Sequence, residues 1–97
     1  QTEVNFSETL QGQQTIIEVI AQDRPGLLYQ IAEVFDKHDI KLHNAKVATF
    51  GARIEDIFIV TNLANKPITD SEIKNDIKQN IIERLNSSRN ASSELTF

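Results

Sequence analysis

A run of β-branched residues, Thr15-Ile16-Ile17-Glu18-Val19-Ile20-Ala21, is halted by Asp23-Arg24-Pro25-Gly26 and followed at once by a helical repeat. A run this short and this rich in branched side chains reads as a strand, with isoleucine on both faces. Proline fixes φ and has no N–H, so Pro25 stops the strand, yet the same residue suits the first turn of a helix. Leu27, Leu28, Ile31, Ala32 and Phe35 then recur at steps of three and four, opposite Gln30, Glu33, Asp36 and Lys37. The spacing predicts an amphipathic helix to about His38. A strand leading straight into a helix with one apolar face confines the chain to folds in which helices pack on a sheet.

The second half supplies the rest of that sheet. Leu42 to Phe50 reads as extended, but Leu42 has the opposite parity to Ala45 and Val47, which predicts a bulge near His43-Asn44. Gly51 turns the chain, and Arg53 to Asn62 returns with Ile54, Phe58 and Val60 on one face and Ile57 and Ile59 on the other. Asn65-Lys66-Pro67 ends this hairpin. Thr69-Asp70-Ser71-Glu72 then has the spacing of a capping box, and Ile73, Ile77, Ile81 and Leu85 recur at i, i+4, giving a second helix. The order is (β)βαββα, an α+β ferredoxin-like pattern: an antiparallel sheet with two helices on one face and its last strand missing. Val4-Asn5-Phe6 is expected to fill that edge, in preference to the shorter Glu94-Leu95-Thr96-Phe97. The expected organisation is an edge strand and linker over 1–14, one domain over 15–86, and a loose polar tail over 87–97. The uncovered sheet face would carry Ile57, Ile59 and one of the isoleucines near 16 to 20, which points to contact with another domain or a second copy.

Composition narrows the function classes. Ninety-seven residues with 39% hydrophobic content make one small domain, and the absence of methionine marks it as an expected piece of a longer polypeptide. A formal charge of -4 with no basic run argues against nucleic acid and against an anionic membrane surface. Cysteine is absent, which excludes disulfides and thiolate chemistry. No signal pattern or spanning apolar run is present, so a soluble, cytoplasmic protein is expected. An RNA-binding sheet of the same topology would need open-face aromatics, where this chain has Ile57 and Ile59. Asp36, His38, Asp39 and His43 match no metal-site spacing and read as a solvated helix end. Glu55 and Asp56 are adjacent in a strand, point to opposite faces, and read as separate surface or structural groups. No catalytic residue, metal or cofactor is expected. An anion-cradling hydrolase loop would have only Arg24, beside a proline that removes a donor.

The segment Asp23-Arg24-Pro25-Gly26-Leu27-Leu28 joins a strand end to a helix start, where unpaired N–H groups and the positive end of the helix dipole meet. That arrangement suits a carboxylate. Gly26 permits close approach to the backbone, and Asp23 is placed to pair with an ammonium group, so the loop matches a zwitterionic amino acid. The same residues also read as a helix cap and a turn.

Residues 15 to 32 resemble the opening of an ACT domain, the ligand-sensing module of amino-acid metabolism. Leu42-His43-Asn44-Ala45-Lys46-Val47-Ala48-Thr49-Phe50-Gly51-Ala52-Arg53-Ile54-Glu55-Asp56-Ile57-Phe58-Ile59-Val60-Thr61 is similar to the C-terminal ACT domain of the bifunctional uridylyltransferase/uridylyl-removing enzymes that modify PII nitrogen-signalling proteins. The similarity extends over roughly residues 3 to 86, with Ala52 standing where that family usually has Glu. The resemblance implies a regulatory domain that senses L-glutamine, with the catalytic centres outside these residues. It also implies a ligand held between the loop of one domain (Asp23, Arg24, Gly26, Leu27 and Leu28) and the second strand of a paired ACT domain. His43 and Asn44 would contribute from that strand, although both also suit the bulge itself. The alternative is a ligand-free ACT docking or dimerisation module.

Overall fold

In β2 (Thr15–Gln22), Thr15, Ile17, Val19 and Ala21 are buried, while Ile16, Glu18 and Ile20 on the other face are half-buried. The computed structural model describes the backbone of residues 1–94 and the side chains of residues 1–86. Its other elements are β1 (Glu3–Glu8), α1 (Leu27–Lys37), β3 (Ile40–Lys46), β4 (Thr49–Phe50), β5 (Arg53–Asn62) and α2 (Ser71–Glu94). The strands form one antiparallel sheet in the order β1-β2-β5-β3, with β4 also pairing β5. β1 lies against β2, Val4 opposite Val19 and Phe6 opposite Ile17. The N-terminal strand thus takes the edge that a last strand would hold, as expected. Leu95 to Phe97 lie outside the described residues.

The bulge falls where parity requires it. Leu42 opposes Val60 and Asn44 opposes Ile59, so His43 is the extra residue and Leu42 and Ala45 come to one face. These side chains nevertheless stay exposed, because β3 is an edge strand in which only Ile40 is buried. Both helices lie on the side of the sheet that carries Ile54, Phe58 and Val60. The core joins these residues to Ile17, Val19, Leu27, Ile31, Phe35, Ile77 and Ile81. At its centre the rings of Phe35 and Phe58 meet edge to face, 5.2 Å between centroids. Buried Thr15 accepts a hydrogen bond from the Ile68 N–H at 2.8 Å, tying β2 to the segment that enters α2.

Four local expectations are corrected. α1 buries Leu27, Ile31, Val34 and Phe35, whereas Leu28 and Ala32 face solvent. The two stripes are equally helical, but Val34 removes more apolar surface from water than Ala32 does. The cap of α2 is Asp70 rather than Thr69: its Oδ1 accepts the N–H groups of Glu72 at 2.8 Å and Ile73 at 3.3 Å, the reach of the residue just before the first helical one. Ile73 is 45% exposed, so the buried stripe of α2 begins at Ile77. Finally, α2 does not end near Leu85 as a loose tail would require but continues to Glu94. No glycine or proline follows Pro67, and once a helix is nucleated each further residue adds a hydrogen bond.

Candidate functional site

β2 passes into α1 through Asp23 to Gly26. The Asp23 N–H donates to the Ala52 carbonyl at 2.7 Å, fixing the loop beside the Gly51-Ala52 turn, and leaves the Asp23 side chain at the exposed edge. Gly26 is the N-cap residue of α1, with φ 79°, and no side chain caps the helix. Asp23 therefore does not occupy the cap position. A left-handed cap favours glycine, and a Cβ at Gly26 would meet no atom within 4 Å, so the space over the helix end is open. Gly26 accepts the Gln30 N–H at 3.0 Å; the N–H groups of Leu28 and Tyr29 belong to the first turn, which has no helical carbonyl behind it. Leu27 buries its side chain in the core and offers this end only its backbone, whereas Leu28 is 46% exposed.

Arg24 turns toward the helices. Its Nη2 donates to Gln30 Oε1 at 3.3 Å and to the Leu85 carbonyl, so the guanidinium fastens the loop to α1 and α2.

His43 and Asn44 are elsewhere. Gln22 pairs with Arg53 and Ile16 with Ile59, and Asn44 opposes Ile59. The six-residue offset along β5 places Asn44 about 20 Å from the loop at roughly 3.3 Å per residue. Thr61 Oγ1 donates to the Asn62 carbonyl at 2.9 Å and is therefore the acceptor for His43 Nε2–H at 2.7 Å. Asn44 Oδ1 accepts the N–H of Ala45 at 2.9 Å. Within one chain these residues serve the bulge and do not meet the loop. The cavity between the loop, Leu27 and Leu85 measures only about 10 Å³, the space of a single water, so a second wall must come from another domain if an amino acid is to be enclosed. A wider cleft of about 430 Å³, bounded by His38, Asp39, Leu63, Ile68 and Ile73, opens at the opposite end of the sheet.

Of the two carboxylates read as surface or structural groups, Asp56 is the structural one. It is 0% exposed, on the core face of β5, where the Ala48 backbone N–H is the hydrogen-bonding group that approaches its carboxyl. Burial pushes its pKa up; the Ala48 backbone N–H opposes the rise, and the charge of Asp23 adds to it. Parity could have found it, since Asp56 shares the inward stripe of Ile54, Phe58 and Val60. Glu55, on the other face, pairs with Arg53 at 2.5 Å.

A carboxyl whose folded pKa is raised stabilises the fold fully below its unfolded value of about 3.9, and loses that contribution as pH rises through the folded value. Asp56→Asn keeps the shape and removes the titration. The variant is expected to gain about 1–2 kcal/mol over the wild type at neutral pH and almost nothing at pH 3.5. Urea unfolding across this range measures the difference, and a pH-independent difference would sink the argument.

A five-strand antiparallel sheet lined on one side by two helices, with an open glycine-capped helix start at the end of its second strand, defines a βαββα regulatory-domain architecture. Residues 15–78 match the ACT domain family model, and the chain belongs to that family. It is 38% identical over 94 residues to the bifunctional uridylyltransferase/uridylyl-removing enzyme of Pseudomonas fluorescens strain Pf-5, covering 97% of this chain and 10% of that protein. The enzyme of the same name from Stutzerimonas stutzeri is 42% identical over 83 residues, 86% of this chain and 9% of the relative. That of Azotobacter vinelandii strain DJ is 48% identical over 71 residues, 73% of this chain and 8% of the relative. The chain therefore spans about a tenth of the length of the curated relatives it matches. No helix among the described residues is long and apolar enough to cross a membrane, and no three His, Cys, Asp or Glu side chains among them cluster as metal ligands would.

Proposed function

We propose that this ACT domain is an amino-acid sensor whose ligand is L-glutamine, and that it regulates uridylylation and deuridylylation of a PII protein by a cytoplasmic enzyme whose catalytic centres lie outside these residues. The observation that carries the reading is the α1 entrance: a helix N-terminus that no side chain caps, open space over Gly26, and the Asp23 carboxylate at its exposed edge. The N–H groups suit the ligand carboxylate, and Asp23 suits the ammonium. The side-chain amide of glutamine would reach Asn44 or His43 of a paired ACT domain, since those residues are remote from the loop within one chain. Regulation requires glutamine to favour one pairing of domains over another, because equal affinity shifts no equilibrium.

The test is an amide-shift titration of the labelled chain with L-glutamine, using L-glutamate and L-serine as controls. Saturable shifts selective for glutamine are expected at Gly26 to Leu28 and, where two domains pair, at Asn44. Absence of shifts at millimolar glutamine, both in this chain and in its pair with a second ACT domain, would refute the sensor reading.

A second reading has its own observation. Ile16 and Ile59 are cross-strand neighbours on the sheet face away from the helices, flanked by Ile20 and Ile57, and all four are half-buried. Such a surface suits docking without a ligand.

A further inference from the structure

Strand register fixes a charge pattern on the sheet face away from the helices. Ile59 of β5 pairs with Ile16 of β2 and Asn44 of β3; two residues along, Ile57 pairs with Glu18 and Lys46, and Glu18 with Asn5 of β1. In the next row Glu55 pairs with Ile20, and Ile20 with Glu3. Cross-strand partners share a face. Four isoleucines therefore fill the two middle strands, Glu3 and Glu18 lie on the β1-β2 side, and Lys46 lies at the β3 edge. Glu55 is matched within the chain by Arg53. Glu18 is half-buried among the isoleucines; the Asn5 amide donates to it at 3.2 Å, and no cation pairs with it among the described residues. Lys46 is exposed and has no ion-pair partner among them either.

We propose that this face packs on the same face of a second copy of the chain, about a two-fold axis that lies between the two sheets and runs along the strands. The proposal rests on the docking reading of this face and names its occupant; the loop of the sensor reading lies beyond the end of β2 and takes no part. A two-fold relating stacked sheets must lie in the plane between them, and the charges select its direction. An axis across the strands would set each strand over its own copy, with β3 and its lysine far from any unmatched carboxylate. An axis along the strands sets β5 over β2 and β3 over β1 of the second copy. Ile59 then falls on Ile16, and Lys46 falls over Asn5, one strand from Glu18. Packed sheets lie about 10 Å apart, a gap that a lysine and a glutamate side chain span together. Closing an apolar face over an unpaired Glu18 would be costly; the second copy supplies the cation and receives the same pair in return.

Sedimentation equilibrium of the chain from about 10 μM to 1 mM reads the dimer constant. Self-association is expected for the wild type. Glu18→Lys sets a lysine against Lys46, Lys46→Glu sets a glutamate against Glu18, and Ile57→Asp sets a second carboxylate over Glu18. Each is expected to weaken the dimer about tenfold or more, and the Glu18→Lys/Lys46→Glu double variant to return to within about threefold of the wild type. Amide spectra check the fold of each variant, and the double variant decides where a single one is perturbed. A chain that stays monomeric throughout overturns the proposal and leaves the docking reading to a different domain. A dimer that Glu18→Lys and Ile57→Asp leave unchanged uses another surface and overturns both. Weakening by each single change without recovery in the double variant overturns the two-fold arrangement and leaves the docking reading standing.

Discussion

Replacing Phe58 by alanine is expected to lower the free energy of unfolding by about 3–5 kcal/mol, the range seen when a large buried side chain leaves a cavity that its surroundings only partly fill. Phe58 is 3% exposed on β5, the strand hydrogen-bonded to both β2 and β3, so its neighbours are held by sheet hydrogen bonds and have little freedom to close the gap. Its edge-to-face contact with Phe35 would be lost as well, a loss of about 0.5–1.5 kcal/mol beyond simple burial. A domain of this size has a total stability of about 5–15 kcal/mol, so the variant would retain little at the lower end of that range. Urea unfolding followed by far-UV circular dichroism measures the change. Phe50→Ala is the control: its side chain is 58% exposed at the end of the hairpin, and a change within about 0.5 kcal/mol is expected. Equal losses for the two variants would mean that the core is not centred on the aromatic pair.

Phe58 also shows which parts of the fold were legible in the sequence. Strand periodicity is binary, so the parity of Ile54, Phe58 and Val60 fixed the inward face of β5, and the conflicting parity of Leu42 and Ala45 located the bulge at His43. The helical repeat carries less information. Leu28 and Ala32 lie one residue from Leu27 and Ile31, so two stripes overlap, and only packing selects the one that includes Val34. The same parity rule set Glu55 and Asp56 on opposite faces and left each as a surface or a structural group; sharing the inward stripe of Ile54, Phe58 and Val60 makes Asp56 the structural one. The pairing of the loop with His43 and Asn44 was not legible, since it depends on a second domain. Within this chain those residues are separated by six positions of β5, and their hydrogen bonds are spent on Thr61 and Ala45.

Two substitutions at the α1 entrance are expected to weaken the amino-acid response by an order of magnitude or more while leaving the domain folded, and they do so for different reasons. Asp23→Asn keeps the shape and the backbone hydrogen bond to Ala52 but removes the charge that meets the ammonium. A charge-assisted hydrogen bond contributes about 1.5–3 kcal/mol, so glutamine affinity should fall roughly 10- to 150-fold. Gly26→Ala acts through space. Its methyl group meets no atom of the fold, and the left-handed φ costs about 1–2 kcal/mol of stability, which the domain can bear. That methyl nevertheless fills the volume through which a ligand carboxylate would approach the helix N–H groups. Loss of binding in both variants with unchanged amide spectra elsewhere would mark the entrance as the site. The docking alternative makes the opposite forecast: glutamine titration would distinguish neither variant from the wild type, while Ile57→Asp on the open sheet face would weaken pairing with a second domain. Asp23 lies in the loop beyond the end of β2 and Ile57 mid-strand in β5 opposite Glu18, so each change tests one reading at a place apart from the other.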